Sequence, residues 1–175
     1  VAWPLGGRAR LGAELVPFTD QGRPLLGAAP WRDVSRWEMR APLPRPRSRL
    51  ALVALDGRLY AIGGEGPEGV SDAVYVYDPA RNSWVLRARK PTPVSNLGAA
   101  VITGKIYVVG GCTQDGRASD VLEIYDPARD AWSSGRPLPS PRCAHAVAVA
   151  AGRLYVFGGW DGERYVPDVW AYDPG

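Results

Sequence analysis

Apolar residues in this chain come in short runs, each cut off by a turn bearing Gly or Pro. No stretch sustains the three-to-four-residue apolar spacing of an amphipathic helix. The clearest unit opens with the apolar run Leu50 to Leu55, which stops at the turn dipeptide Asp56-Gly57. Arg58 to Ile62 follows and ends at Gly63-Gly64. After a polar loop comes Ala73 to Tyr77, which mixes small, branched and aromatic residues. The turn Asp78-Pro79-Ala80-Arg81-Asn82 leads into Ser83 to Leu86, built around Trp84. Short runs bounded by turn residues predict strands, and four in succession predict an antiparallel sheet.

The same order recurs. Ala99 to Ile102, Lys105 to Val109, Val121 to Tyr125 and Ala131 to Ser133 form a second unit. Ala144 to Val149, Arg153 to Phe157 and Asp168 to Tyr172 form a third, with no fourth strand before Gly175. The pairs Gly63-Gly64, Gly110-Gly111 and Gly158-Gly159 are spaced 47 and 48 residues apart. The triplets Tyr77-Asp78-Pro79, Tyr125-Asp126-Pro127 and Tyr172-Asp173-Pro174 keep the same period, as do Trp37, Trp84 and Trp132. Three independent markers in one register establish an internal repeat. Each has a structural reason: glycine pairs let backbones approach closely, Tyr and Trp offer large packing faces, and Asp before Pro starts a tight turn. Four antiparallel strands per unit predict an all-β fold of propeller blades.

An apolar run ending in Gly-Gly, a later Tyr-Asp-Pro, and a Trp six residues beyond that Asp together resemble the kelch motif. The resemblance covers residues 37–175, in approximate blades 48–87, 95–134 and 143–175, the last incomplete. It implies a partial kelch propeller, since six blades of this length need about 280 residues. It also implies a protein-interaction module that binds through its B–C and D–A loops. The second unit departs from the third, with Val94 in place of Arg142 and Leu97 in place of His145, so a role for those residues is not expected in every blade. Residues 1–36 read either as a degenerate outer half of a preceding blade or as a leader. Within them Pro17 to Pro30 is the expected flexible part.

Composition supports this picture, with 21 Gly and 17 Pro against one Met, two Phe and one His. No run of 18 apolar residues offers a membrane span, and the N-terminus lacks the basic-then-apolar layout of a secretory signal. The formal charge of +3 and pI near 9.0 come from dispersed Lys and Arg, not the clustered, aromatic-interleaved pattern of a nucleic-acid binder. The A–B turns (Asp56-Gly57, Gly104-Lys105, Gly152-Arg153) are expected at one end of the blades, with the B–C and D–A loops at the other. Rigid scaffolds commonly place binding on such variable loops.

The D–A loops carry net charges of +3 (Glu38, Arg40, Arg45, Arg47, Arg49), +3 (Arg87, Arg89, Lys90) and +2 (Arg136, Arg142). Two readings stay open: a solvated basic surface, or a face that recruits an acidic peptide through Arg45, Arg47, Arg49 and Arg142. Trp160, just after the third glycine pair, is either a packing residue or an interface anchor. Self-association is expected if the chain stands alone.

The residues that catalysis needs are sparse. His145 is the lone histidine, and no nucleophile elbow, His-Glu-x-x-His or phosphate-cradling glycine loop occurs. Cys112 and Cys143 lack zinc-site company. They fall towards one face, but spacing alone does not favour a disulfide. Neither catalysis, metal nor cofactor is expected. The enzyme alternative among kelch-like propellers resembles sialic-acid mutarotases, which rely on Arg and Glu. Arg142 and Glu163 are present, with no motif to assign them.

Overall fold

The computed structural model describes residues 37–175 and, before them, strands β1 (Arg8–Leu11) and β2 (Glu14–Pro17), paired antiparallel with Arg8 opposite Pro17. The readings of the remaining residues before Trp37, including the stretch after Pro17, lie outside the described residues. The chain divides into two compact units, Val1–Met39 and Arg40–Gly175. The repeats lie in the second.

The first blade runs β3 (Ala51–Leu55), β4 (Arg58–Ile62), a miniature hairpin of β5 (Glu65–Gly66) and β6 (Gly69–Val70), then β7 (Val74–Asp78) and β8 (Ser83–Leu86). The second comprises β9 (Gly98–Ile102), β10 (Lys105–Val109), β11 (Leu122–Asp126) and β12 (Ala131–Ser134). The third has β13 (Ala146–Ala150), β14 (Arg153–Phe157) and β15 (Val169–Tyr172). The sheets are ordered β3-β4-β7-β8, β9-β10-β11-β12 and β13-β14-β15, all antiparallel. No helix occurs among the described residues. The expected kelch-type blades are therefore present, two four-stranded and one three-stranded.

Strand limits differ from expectation by a residue or two, for a local reason. Arg49, Asn96 and Ala144 precede the inner strands and have φ of 56°, 51° and 53°, which ends the extended conformation before Leu50 or Ala144 can join it. The first A–B turn falls at Asp56-Gly57 as expected, and the other two shift by one, to Thr103-Gly104 and Ala151-Gly152, with positive φ at both residues of each pair. That conformation matches the right-handed twist of the flanking strands. At Gly63-Gly64 the chain meets the segment entering the next blade. Gly64 N donates to Val94 O at 3.0 Å, and a Cβ on Gly63 would lie 2.6 Å from the same oxygen.

The inner strands β3, β9 and β13 lie side by side, and the core fills the two spaces between blades. Tyr60, Ile62, Val74 and Val76 pack against Val94, Leu97, Ile106 and Val108. Tyr107, Val109 and Leu122 pack against Leu154 and Val156. Each such aliphatic side chain contributes about 1.5–3 kcal/mol by leaving water.

The tyrosine and tryptophan marks do more than pack. Asn82, at φ 48°, accepts through Oδ1 from Tyr77 Oη at 2.6 Å and Ala41 N at 2.8 Å, while Trp84 Nε1 donates to Ala41 O at 2.9 Å. In the second blade Asp130 accepts from Tyr125 Oη at 2.5 Å and Ala88 N at 2.9 Å, and Trp132 Nε1 donates to Ala88 O at 2.9 Å. The outer strand thus grips the chain entering its blade. Asp78 and Asp126 hold the intervening turns by accepting from the backbone of Ala80 and Arg81, and of Ala128 and Arg129. Trp37 differs from Trp84 and Trp132 in being 90% exposed.

Spacing alone did not favour a bond between the cysteines, yet Cys112 and Cys143 form a disulfide with Cα atoms 5.4 Å apart. Cys112 follows the second glycine pair, and Cys143 lies on the segment entering the third blade. Docking of one blade on the next brings together residues 31 apart in sequence.

Candidate functional site

The strand order places the B–C and D–A loops at the end opposite the two-residue turns. Nearest the inner strands, backbone hydrogen bonds run from blade to blade, Asn96 N to Arg49 O at 2.8 Å and Ala144 N to Asn96 O at 2.9 Å. Each entering segment also bridges the residue after its own glycine pair: Ser48 with Glu65, Ser95 with Cys112, Cys143 with Trp160. The loops interlock as well, Gln114 Oε1 accepting from Val70 N at 2.6 Å.

Two of the candidate arginines remain at the surface. Arg45, 59% exposed, pairs with Glu68, and Arg49, 58% exposed, pairs with Glu65 at 2.8 Å. Both glutamates belong to the first B–C loop. Arg47 turns inward instead. Its Nη1 donates to Gly63 O at 2.9 Å, and its guanidinium lies 5.1 Å from the centre of the Tyr75 ring. Burial lowers its pKa, with Tyr75 acting in the opposite direction.

Arg142 corrects the expectation of a surface contact. Its side chain is 1% exposed, its Nη2 donates to Asp168 at 2.6 Å, and its Nη1 donates to Ser140 and Pro141 O. It fastens the entering segment to the third blade. Glu163, which no motif assigns, is exposed in the third B–C loop. Trp160 is half-buried, with backbone bonds to Cys143 at 2.9 and 3.0 Å, and it bridges the strongly exposed Tyr165.

Lys90 was not singled out from the sequence. It is buried, with Nζ 2.5 Å from Glu123 Oε2 and donating to Thr92 O at 2.8 Å, while Thr92 Oγ1 donates to Glu123 Oε1 at 2.7 Å. Burial lowers the Lys90 pKa and Glu123 partly restores it. The second blade, which has Val94 where the others have arginine, therefore takes its inward cation from four residues earlier. The available sign was Glu123, standing where the neighbouring blades have Tyr75 and Trp170; a carboxylate there needs a cation close by.

His145 precedes β13 at the position that Leu50 and Leu97 hold before β3 and β9. Its ring is wedged against Gly98 and Gly110 of the second blade, with neither nitrogen in an aligned hydrogen bond. Burial pushes its pKa down to about 4; the Val109 backbone opposes this and Arg142 adds to it. The described residues contain no cluster of three or more metal-ligating side chains.

Residues 31–175 match the family described as the KLHDC2/KLHL20/DRC7 Kelch-repeats domain. Kelch-like protein 33 of Homo sapiens is 50% identical over 46 residues, 26% of this chain and 9% of that protein. Kelch repeat-containing protein 2 of Saccharomyces cerevisiae is 41% identical over 54 residues, 29% of this chain and 6% of that protein. A solved structure titled "Structure of YjhT" is similar at a TM-score of 0.64 and 25% identity, covering 70% of this chain and 47% of its own. The chain thus spans a small part of the curated relatives it matches. With glycine pairs at each inter-blade crossing, tyrosine–tryptophan grips on two outer strands and a family match over most of its length, the chain belongs to the kelch-repeat family.

Proposed function

We propose that this chain is a protein-interaction module whose B–C and D–A loops bind an acidic segment of a partner through Arg45 and Arg49. The supporting observation is the state of those two arginines. Both are more than half exposed and are neutralised only by B–C loop glutamates, Glu68 exposed and Glu65 half-buried. Such surface pairs contribute about 0–1 kcal/mol, so a partner's carboxylates replace Glu65 and Glu68 at little cost. Trp160 and Tyr165 add the aromatic surface that interface hot spots favour. Arg47 and Arg142 support the loops from inside and are not contacts in this reading.

The test is fluorescence anisotropy with a labelled hexaglutamate peptide. Binding is expected to weaken several-fold between about 50 and 300 mM salt, since exposed charges are screened over that range. Replacing Arg45 and Arg49 together by alanine is expected to weaken it about tenfold, the equivalent of about 1.4 kcal/mol. Salt-independent binding, or a double variant that binds as well as the parent, would sink the acidic-partner reading.

A further inference from the structure

The Cys112–Cys143 disulfide is the one side-chain covalent cross-link between blades among the described residues, and it sits at the loop end. At the junction of the first and second blades the matching positions are Glu65 and Ser95, which cannot form one. The link joins two small ladders. On one side Cys112 exchanges backbone bonds with Ser95 and bridges Ala118 of the second B–C loop; on the other, Cys143 exchanges bonds with Trp160, which bridges Tyr165. The loop carrying Trp160 and Tyr165 is therefore tied to the second blade through two sulfur atoms.

We propose that this disulfide is a redox gate on the binding end: a dithiol reductant opens it, frees the Trp160–Tyr165 loop to move, and weakens partner binding. This rests on the reading that the loop end binds the partner. Cys112 is half-buried and Cys143 is 2% exposed, so Cys112 is the more accessible partner for the attacking thiolate. The S–S bond breaks and its electron pair leaves on Cys143, which takes up a proton. The reductant's second thiolate then attacks the mixed disulfide and releases Cys112. The protein gains two thiols and two electrons, and the reductant becomes a disulfide.

The blades stay docked in the open state, because several bonds do not pass through sulfur. Gly111 N still donates to Arg142 O at 2.7 Å, Arg142 N to Ser119 O at 2.9 Å and Ala144 N to Asn96 O at 2.9 Å. What loses its covalent tether is the Cys143–Trp160 pair and the loop beyond it, which then hang on backbone bonds alone.

Amide hydrogen exchange on the 175-residue chain, oxidised and then reduced with dithiothreitol, tests the gate. Reduction is expected to accelerate exchange at Cys143, Trp160 and Val166 by about tenfold or more, while Ser48 and Glu65 of the first blade keep their rates. A Cys112→Ser, Cys143→Ser chain should show the fast rates with or without reductant; Ser48 and Ser95 already occupy the place of Cys143 in the other blades. Unchanged rates at the third loop would overturn the gate, and so would acceleration throughout every strand, which would make the bond a staple of the whole fold. Binding of a hexaglutamate peptide extended by a tryptophan, measured on the same samples, should weaken about tenfold on reduction, while plain hexaglutamate, held by Arg45 and Arg49 of the first blade, keeps its affinity; equal affinity of the extended peptide in both states would overturn the coupling. A peptide bound in neither state counts against the acidic-partner reading, while the exchange rates still decide the gate.

Discussion

His145 sits where its two counterparts are leucines, with its imidazole confined between blades and lacking aligned hydrogen bonds. The folded chain holds it neutral, its pKa falling from 6.5 to about 4. Because the folded value is the lower one, its contribution to stability is complete above about pH 6.5 and is lost as the pH falls towards 4, by up to about 3 kcal/mol. Replacement by leucine should flatten the pH dependence of urea-unfolding stability between about pH 6.5 and 4.5, above the range where the depressed carboxylates Asp115, Asp130 and Asp161 titrate. An unchanged slope in His145→Leu would place the titration elsewhere. Lys90 also depends on its surroundings: a buried amine is tolerable because Glu123 and Thr92 surround it.

At the scale of the strand, the outer-edge grip predicts the effect of removing one donor. Trp132→Phe keeps most of the apolar ring but loses the Nε1 bond to Ala88 O, leaving that carbonyl without its partner. A loss of about 1–2 kcal/mol is expected in chemical denaturation, and a change within a few tenths would mean that the ring, not the bond, holds the entering chain. Strands and turns were legible in the sequence because they obey local rules, such as Asp56-Gly57 closing a hairpin or Tyr-Asp-Pro opening a turn. The candidate site was less legible. Arg45, Arg47, Arg49 and Arg142 are alike as letters, and only the placing of Tyr75 and Asp168 against the entering segments turns two of them inward. The disulfide was hidden for the same reason, since its 31-residue separation becomes a contact only through blade docking.

At the scale of the molecule, the third sheet ends at β15, beside a cleft of about 360 Å³ lined by Leu122, Leu138, Leu154, Val156, Trp170 and Tyr172. In the first two blades the outer strand lies against the third strand of its sheet, and its tryptophan bonds to the entering segment. Grafting the sequence of residues 127–134 after Asp173 should fill the cleft, with the new tryptophan donating to the backbone of Arg136. Burial of that side chain, at about 2–3 kcal/mol, predicts a rise in Tm of roughly 5 °C or more. An unchanged Tm would deny that this cleft accepts a strand. The inner rim at the loop end has a different consequence. Arg49, Asn96 and Ala144 share one backbone conformation and pass hydrogen bonds from blade to blade through main-chain atoms alone. Their side chains are thus released from architectural duty, and a cationic, an amide and a methyl group stand at equivalent stations of one scaffold. Diversification at these three stations changes the chemistry the rim presents while the frame that presents it stays the same.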